Sequence, residues 1–159
     1  IAGVNGMHFG PDGYLYAASV IGSDITVIDI EDKSIVKRYG LSDGVIGPDD
    51  VAFNSKGEFF WTSILTGEVA GFNTNGEKVI AGNPGPGVNP ITFSDDDRLF
   101  VAQCFFDNGL FELDSNGDFQ PSPMNKYIVD TKWDLDENGD LQLRNRELWT
   151  LFSDDYFSD

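Results

Sequence analysis

Apolar and polar residues alternate in short runs along this chain, as in Leu15-Tyr16-Ala17 and Ile25-Thr26-Val27-Ile28-Asp29. A period of two sends successive side chains to opposite faces of a strand, whereas a helix repeats every 3.6 residues. Turn chemistry bounds the runs at Pro11-Asp12-Gly13, Lys56-Gly57, Asn75-Gly76, Asn116-Gly117 and Asn138-Gly139. The pattern therefore predicts antiparallel hairpins. In the first repeat the expected strands are Gly6–Phe9, Leu15–Ser19, Ile25–Ile30 and Ser34–Tyr39. No ten-residue stretch carries the apolar stripe of an amphipathic helix.

The hairpins recur. GVNGMHFGPDGYLYAAS from Gly3, GPDDVAFNSKGEFFWTS from Gly47 and GVNPITFSDDDRLFVAQ from Gly87 line up, placing Phe9, Phe53 and Phe93 at 44- and 40-residue spacing. A degraded fourth copy, VDTKWDLDENGDLQL, puts Leu135 in the aromatic's place. Within the copies, Phe9 to Leu15, Phe53 to Phe59, Phe93 to Leu99 and Leu135 to Leu141 all span six residues. Four short strands every ~40–45 residues is the length of one β-propeller blade. A β-sandwich of similar size would not require its segments to share an internal spacing. The expected fold is all-β, a single propeller segment over residues 1–159 with blades at about 3–43, 44–83 and 84–124 and a partial one at 125–159.

Propellers usually close with about four to eight blades, so three and a part make an incomplete ring. Unclosed end blades expose an apolar face and unpaired strand edges. Two solutions are open, self-association or a missing propeller half outside this chain. The stretch from Arg144 to Asp159, with Trp149, Phe152, Tyr156 and Phe157 among acids, suits a terminal strand or an interface tail.

Composition narrows the partners. The 159 residues hold 27 acids against ten bases, a formal charge of −17. Six Lys and four Arg lie scattered, which argues against nucleic acid and against an anionic membrane surface. Apolar residues at 40%, with thirteen Phe, are enough for a packed core. A lone cysteine, Cys104, allows no intrachain disulfide and no cysteine-rich zinc site. There is no apolar run of the ~18 residues that a membrane helix needs, no glycine-rich phosphate loop and no Gly-x-Ser-x-Gly elbow.

Candidate chemistry lies where each inner strand begins. Gly3-Val4-Asn5, Gly47-Pro48-Asp49 and Gly87-Val88-Asn89 put a short oxygen-bearing side chain two residues after a glycine. Inner strands line a propeller's axis, so Asn5, Asp49 and Asn89 would converge on one face. Two amides and a carboxylate suit a hard divalent cation such as Ca²⁺, which takes 6–8 oxygens. The same residue types also make Asx turns at strand starts. Asp49, and after it Asp50, are the carboxylates placed to accept a proton, while Asp50 equally reads as a solvated turn residue. His8, the single histidine, stands where the other copies have Ala52 and Thr92, and is either a pocket wall or a hydrogen-bonded structural residue. Asp134, Asp136, Asn138 and Gly139 imitate the start of a calcium loop but lack its glutamate at the twelfth position, Asn145, and read as an acidic hairpin. Asp95-Asp96-Asp97 reads as a turn.

The strings GVNGMHFGPDG, GPDDVAF and GVNPITFSDD, with LYAAS and FFWTS, resemble the senescence-marker-protein/gluconolactonase (regucalcin-like) family of six-bladed propellers, over about Gly3 to Asn116. The resemblance implies an axial divalent cation, usually calcium, held by Asn5, Asp49, Asn89 and a glutamate from another blade. No glutamate of this chain matches that pattern, and the fourth copy has Thr131 beside Asp130 at the corresponding place. It also implies a calcium-dependent lactonase or esterase-like hydrolase acting on a small lactone or ester, or an inactive relative. A non-catalytic propeller serving as a binding or assembly module is the alternative.

Overall fold

Four turns of identical geometry set where the strands stop. In each, an N–H bonds the carbonyl four residues on: Gly10 to Tyr14, Asn54 to Glu58, Asn73 to Glu77 and Ser94 to Arg98, at 2.8–3.1 Å. The fourth residue of each turn is left-handed, and it is Gly13, Gly57, Gly76 and, in the last case, Asp97 at φ 62°. Asp is among the few side chains that tolerate this conformation.

The structure, a computed structural model, describes residues 2–104, 109–113, 119–121, 133–135 and 141–143. Three four-stranded antiparallel sheets follow in chain order: β1 (Val4–Phe9) to β4 (Ser34–Tyr39) through β2 (Leu15–Ser19) and β3 (Asp24–Asp29), then β5 (Pro48–Phe53), β6 (Phe59–Ser63), β7 (Val69–Phe72) and β8 (Lys78–Gly82). The third holds β9 (Val88–Phe93), β10 (Leu99–Gln103), β11 (Gly109–Leu113) and β12 (Phe119–Pro121). Each is a simple meander, the blade arrangement expected from the repeat. The only helical element among the described residues is a 3₁₀ turn at Leu41–Asp43. Strand β1 starts at Val4 rather than Gly6, because a bulge keeps Asn5 and Gly6 within it.

The chain divides into two units, Ile1–Ser122 and Pro123–Asp159. In the second, β13 (Trp133–Leu135) pairs antiparallel with β14 (Leu141–Leu143), Leu135 opposite Leu141, so the worn fourth copy keeps its hairpin. The suggested tail, 144–159, and the hairpin tip, 136–140, lie outside the described residues.

Within the first unit the sheets stack by one rule. Tyr16, Ala18, Ile25 and Val27 of the first sheet bury against Val51, Phe59, Trp61, Ala70 and Phe72 of the second. The opposite side of the second sheet, with Ala52 and Phe60, meets Ile91, Leu99, Val101 and Phe93 of the third. Rings fill the first of these layers: Tyr16 meets Phe53 edge-on at 4.9 Å, and Trp61 stacks on Phe72 at 5.3 Å. The second sheet thus turns one face to its predecessor and the other to its successor. The inner strands β1, β5 and β9 lie side by side, with β5 in the middle.

Candidate metal and proton-transfer site

Each inner strand carries the same defect at the same place. The register slips between Val4 and Met7 in β1, between Pro48 and Asp50 in β5, and opposite Val101–Gln103 in β9, where Val88 and Ile91 are the flanking partners. Asn5, Asp49 and Asn89 therefore sit in three β-bulges, devices that re-aim a side chain out of the ladder. The glycine two residues earlier is left-handed in all three, with Gly47 at φ 49°. A Cβ on Gly47 would lie 2.6 Å from Leu65. The carbonyls of Gly3, Gly47 and Gly87 each accept the N–H of Val20, Ile64 and Cys104, residues equivalent in the repeat. The Gly-x-Asn/Asp motif thus has a structural cause for its glycine, and its polar residue is what remains to be explained.

Asp49 is the centre of the cluster. It is 1% exposed, and its Oδ1 accepts the Asn5 amide Nδ2–H at 2.5 Å. Its Oδ2 is buried without a hydrogen-bond partner. Burial raises the Asp49 carboxyl above the ordinary range, the Asn5 hydrogen bond opposes the rise, and the neighbouring Asp50 charge adds to it. Asn89 stands on the adjacent strand with its carbonyl bonded by the Thr62 hydroxyl. Among the described residues no hydrogen bond links the Asn89 side chain to Asn5 or Asp49. Asn5 and Asp49 are brought into contact, then, and Asn89 is their neighbour without touching them through a hydrogen bond.

Asp50 is held differently. Its Oδ1 accepts the Val51 N–H at 2.9 Å and its Oδ2 the Ile91 N–H at 3.2 Å, while His8 Nε2 is 3.6 Å from Oδ1. One carboxylate so spans β5, β9 and β1. Gly6 makes the room, because a Cβ there would come within 2.2 Å of Asp50 Oδ1. His8 is half exposed beside it.

Two residues named from the sequence have surroundings that only the structure supplies. Cys104 has its thiol pushed up by burial and by the negative charge of Asp49, so the thiol stays protonated and is a poor nucleophile. At the opposite turn, Asp97 takes the Ser55 N–H at 2.7 Å and the Ser55 hydroxyl at 2.5 Å, joining second and third sheets. Those hydrogen bonds hold Asp97 below the usual carboxylate range. A local count of acids shows only a turn at 95–97, since the partner is 42 residues away.

One buried carboxylate oxygen without a protein partner lies beside the Asn5 amide, a beginning of the 6–8 oxygens that calcium takes. Among the described residues no group of three His, Cys, Asp or Glu side chains could hold a metal, so any cation here depends on amide oxygens and further ligands.

Repeated four-stranded meanders stacked face to face define a β-propeller type of protein. No family model matches the chain, and no curated protein does either. Solved structures do. Virginiamycin B lyase from Staphylococcus aureus superposes at TM-score 0.63 with 18% identity over 88% of this chain and 54% of its own. A gluconolactonase-like protein gives 0.61 with 12% identity over 92% and 57%, and a chain of the nidogen/laminin complex gives 0.63 with 14% identity over 74% and 47%. At these identities the likeness is one of fold, and it includes enzymes and binding proteins alike. The chain spans about half the length of these structures.

Proposed function

We propose that the cluster around Asp49 is the axial site of a calcium-dependent lactonase or esterase-like hydrolase acting on a small lactone or ester, as the regucalcin-like resemblance implies. The observation that carries the reading is the buried, partnerless Asp49 Oδ2 beside Asn5. A native protein rarely leaves such an acceptor unsatisfied, and an ion is one of the few explanations for it. Asn5, Asp49 and Asn89 would hold the cation, with ligands from blades outside the described residues or from water completing its shell. When bound, the cation supplies Lewis-acid polarisation of the substrate carbonyl. Asp49 anchors charge at the site and is the first candidate to take the proton. Asp50 is the second, although its two oxygens also tie strands together through the Val51 and Ile91 N–H groups. His8, half exposed with its ring nitrogen 3.6 Å from Asp50, would form a wall of the substrate pocket.

A thermal shift tests the cation directly. Ca²⁺ at a hundred times its Kd should stabilise the folded chain by about 2.7 kcal/mol, EDTA should reverse this, and Asp49→Asn should abolish it. No shift with Ca²⁺, Mg²⁺ or Mn²⁺ would remove the site. If calcium binds but no lactone or aryl ester is hydrolysed, the alternative stands: a binding or assembly propeller in which Asp50 is purely a strand tie. The engagement of both Asp50 oxygens by backbone N–H groups is what favours that second reading.

A further inference from the structure

Two loops at the Asn5 and Asp49 end of the sheets share a feature that the axial site does not use. The loop after β2 begins Val20-Ile21 and the loop after β6 begins Ile64-Leu65, at matching places in the repeat. Val20 and Ile64 donate their N–H groups to the carbonyls of Gly3 and Gly47. Each loop is thereby seated on the glycine two residues before Asn5 or Asp49. The next residue is apolar both times and largely in water: Ile21 is 81% exposed and Leu65 58%. A Cβ on Gly3 would lie 2.9 Å from Ile21, as one on Gly47 would meet Leu65, so both side chains stand over those glycines. Two residues of strand measure ~7 Å, which is the step from each glycine to Asn5 or Asp49. Cys104, which seats the third loop on Gly87 in the same way, feels the Asp49 charge. Ile46, immediately before Gly47, is exposed as well. A single exposed apolar side chain is ordinary, but here one choice is made twice at one place in the repeat. An open sheet face does not account for Leu65, because the second sheet is packed on both sides.

We infer that Ile21, Ile46 and Leu65 form an apolar rim to the Asp49 site that takes the uncharged hydrocarbon part of the substrate, an alkyl or aryl lactone or ester rather than a polyhydroxylated sugar lactone. The inference rests on the hydrolase reading above and names its substrate class. Chemistry selects the occupant. Ile and Leu side chains offer no hydrogen bond, so a hydroxyl laid against them gives up water without replacement. A hydrocarbon tail gains by the same move. A molecule with one polar end and an apolar remainder matches a polar centre beside an apolar border, the usual lining of a small-molecule site. Charge narrows the class further: at −17 the chain repels a tail ending in a carboxylate.

Binding of a homologous series to the 159-residue chain in the presence of Ca²⁺ tests this. γ-Butyrolactone, γ-hexalactone and γ-decalactone are titrated by calorimetry or ligand-observed NMR, and hydrolysis is measured separately. Each added methylene should tighten the Kd about two- to fourfold, and a sugar lactone should bind no tighter than γ-butyrolactone. Ile21→Ser combined with Leu65→Ser should cut the gain between γ-butyrolactone and γ-decalactone at least tenfold. Both side chains are exposed, so circular dichroism should not change, and Leu65→Met, which keeps the rim apolar, should retain the gain. Ile80→Ser removes an exposed apolar side chain of the outer strand β8 and should also leave it intact. The inference is overturned by undetectable binding of γ-decalactone, by a Kd indifferent to tail length, or by a gain that survives the double serine variant. A gain lost equally in Ile80→Ser, or tighter binding of the sugar lactone, overturns it too. The hydrolase reading fails on a different result: if the gain is present and lost with the rim while no lactone is cleaved, the rim stands and the catalytic assignment falls.

Discussion

The first and second sheets come from the same repeat and have opposite surroundings. Position by position, Met7 and Val51, Phe9 and Phe53, Ala17 and Trp61 are equivalent. In the second sheet these residues lie in a layer of rings packed against the first sheet, and in the first sheet Met7 and Phe9 are exposed while the small Ala17 stays buried. The repeat fixes what a side chain is paired with inside its own blade. What lies above that blade is fixed by its place in the series, and stability is distributed accordingly.

Trp61→Ala should have the largest effect, about 3–5 kcal/mol in urea unfolding, because Trp61 is fully buried and stacked on Phe72. A smaller loss would mean that the layer between the first two sheets is loosely filled. Phe53→Ala should cost about 2 kcal/mol against less than about 0.5 for Phe9→Ala in dilute protein. Equal values would erase the contrast between the two sheets. Asp49→Asn should stabilise the cation-free chain by about 1 kcal/mol at neutral pH, since it removes a buried charge with a bare oxygen. The carboxyl is raised in the folded state, so the folded form holds its proton longer. Stability from this group is greatest at acid pH and is lost as pH climbs from the ordinary aspartate value through the raised one. The variant's stability curve should lack that decline. Asp97→Asn should give the smallest effect and the opposite slope: its carboxyl is lowered by Ser55, so the contribution is present at neutral pH and disappears as acid protonates it. A melting profile from about pH 2 up through neutral pH reads both, and a profile unchanged by Asp97→Asn would show that the Ser55 link adds nothing.

Much of the fold was legible in the sequence, and the reason is local. The six-residue interval, the Asn-Gly and Asp-Gly turns and the period of two are all properties of one hairpin, and they predict β2 and β4 to the residue. The glycines at 3, 47 and 87 were visible as a motif, and the left-handed backbone explains them. The site was legible only in outline. Asn5, Asp49 and Asn89 share a position in the repeat yet differ in setting: Asp49 is buried, Asn89 half-buried and Asn5 exposed. Those differences come from neighbouring strands some forty residues away. For the same reason Asp50 read as a turn residue, although its carboxylate reaches the Ile91 N–H across a sheet boundary.

The fit between Gly6 and Asp50 limits modular exchange. Gly6, Asp50 and Pro90 occupy matching positions, but the first is empty so that the second can reach across to β9. Swapping the first and second repeats would take the Asp50 carboxylate away from the Ile91 N–H of β9 and set the empty Gly6 position in its place. These blades look like copies of one part, yet each is keyed to its own slot.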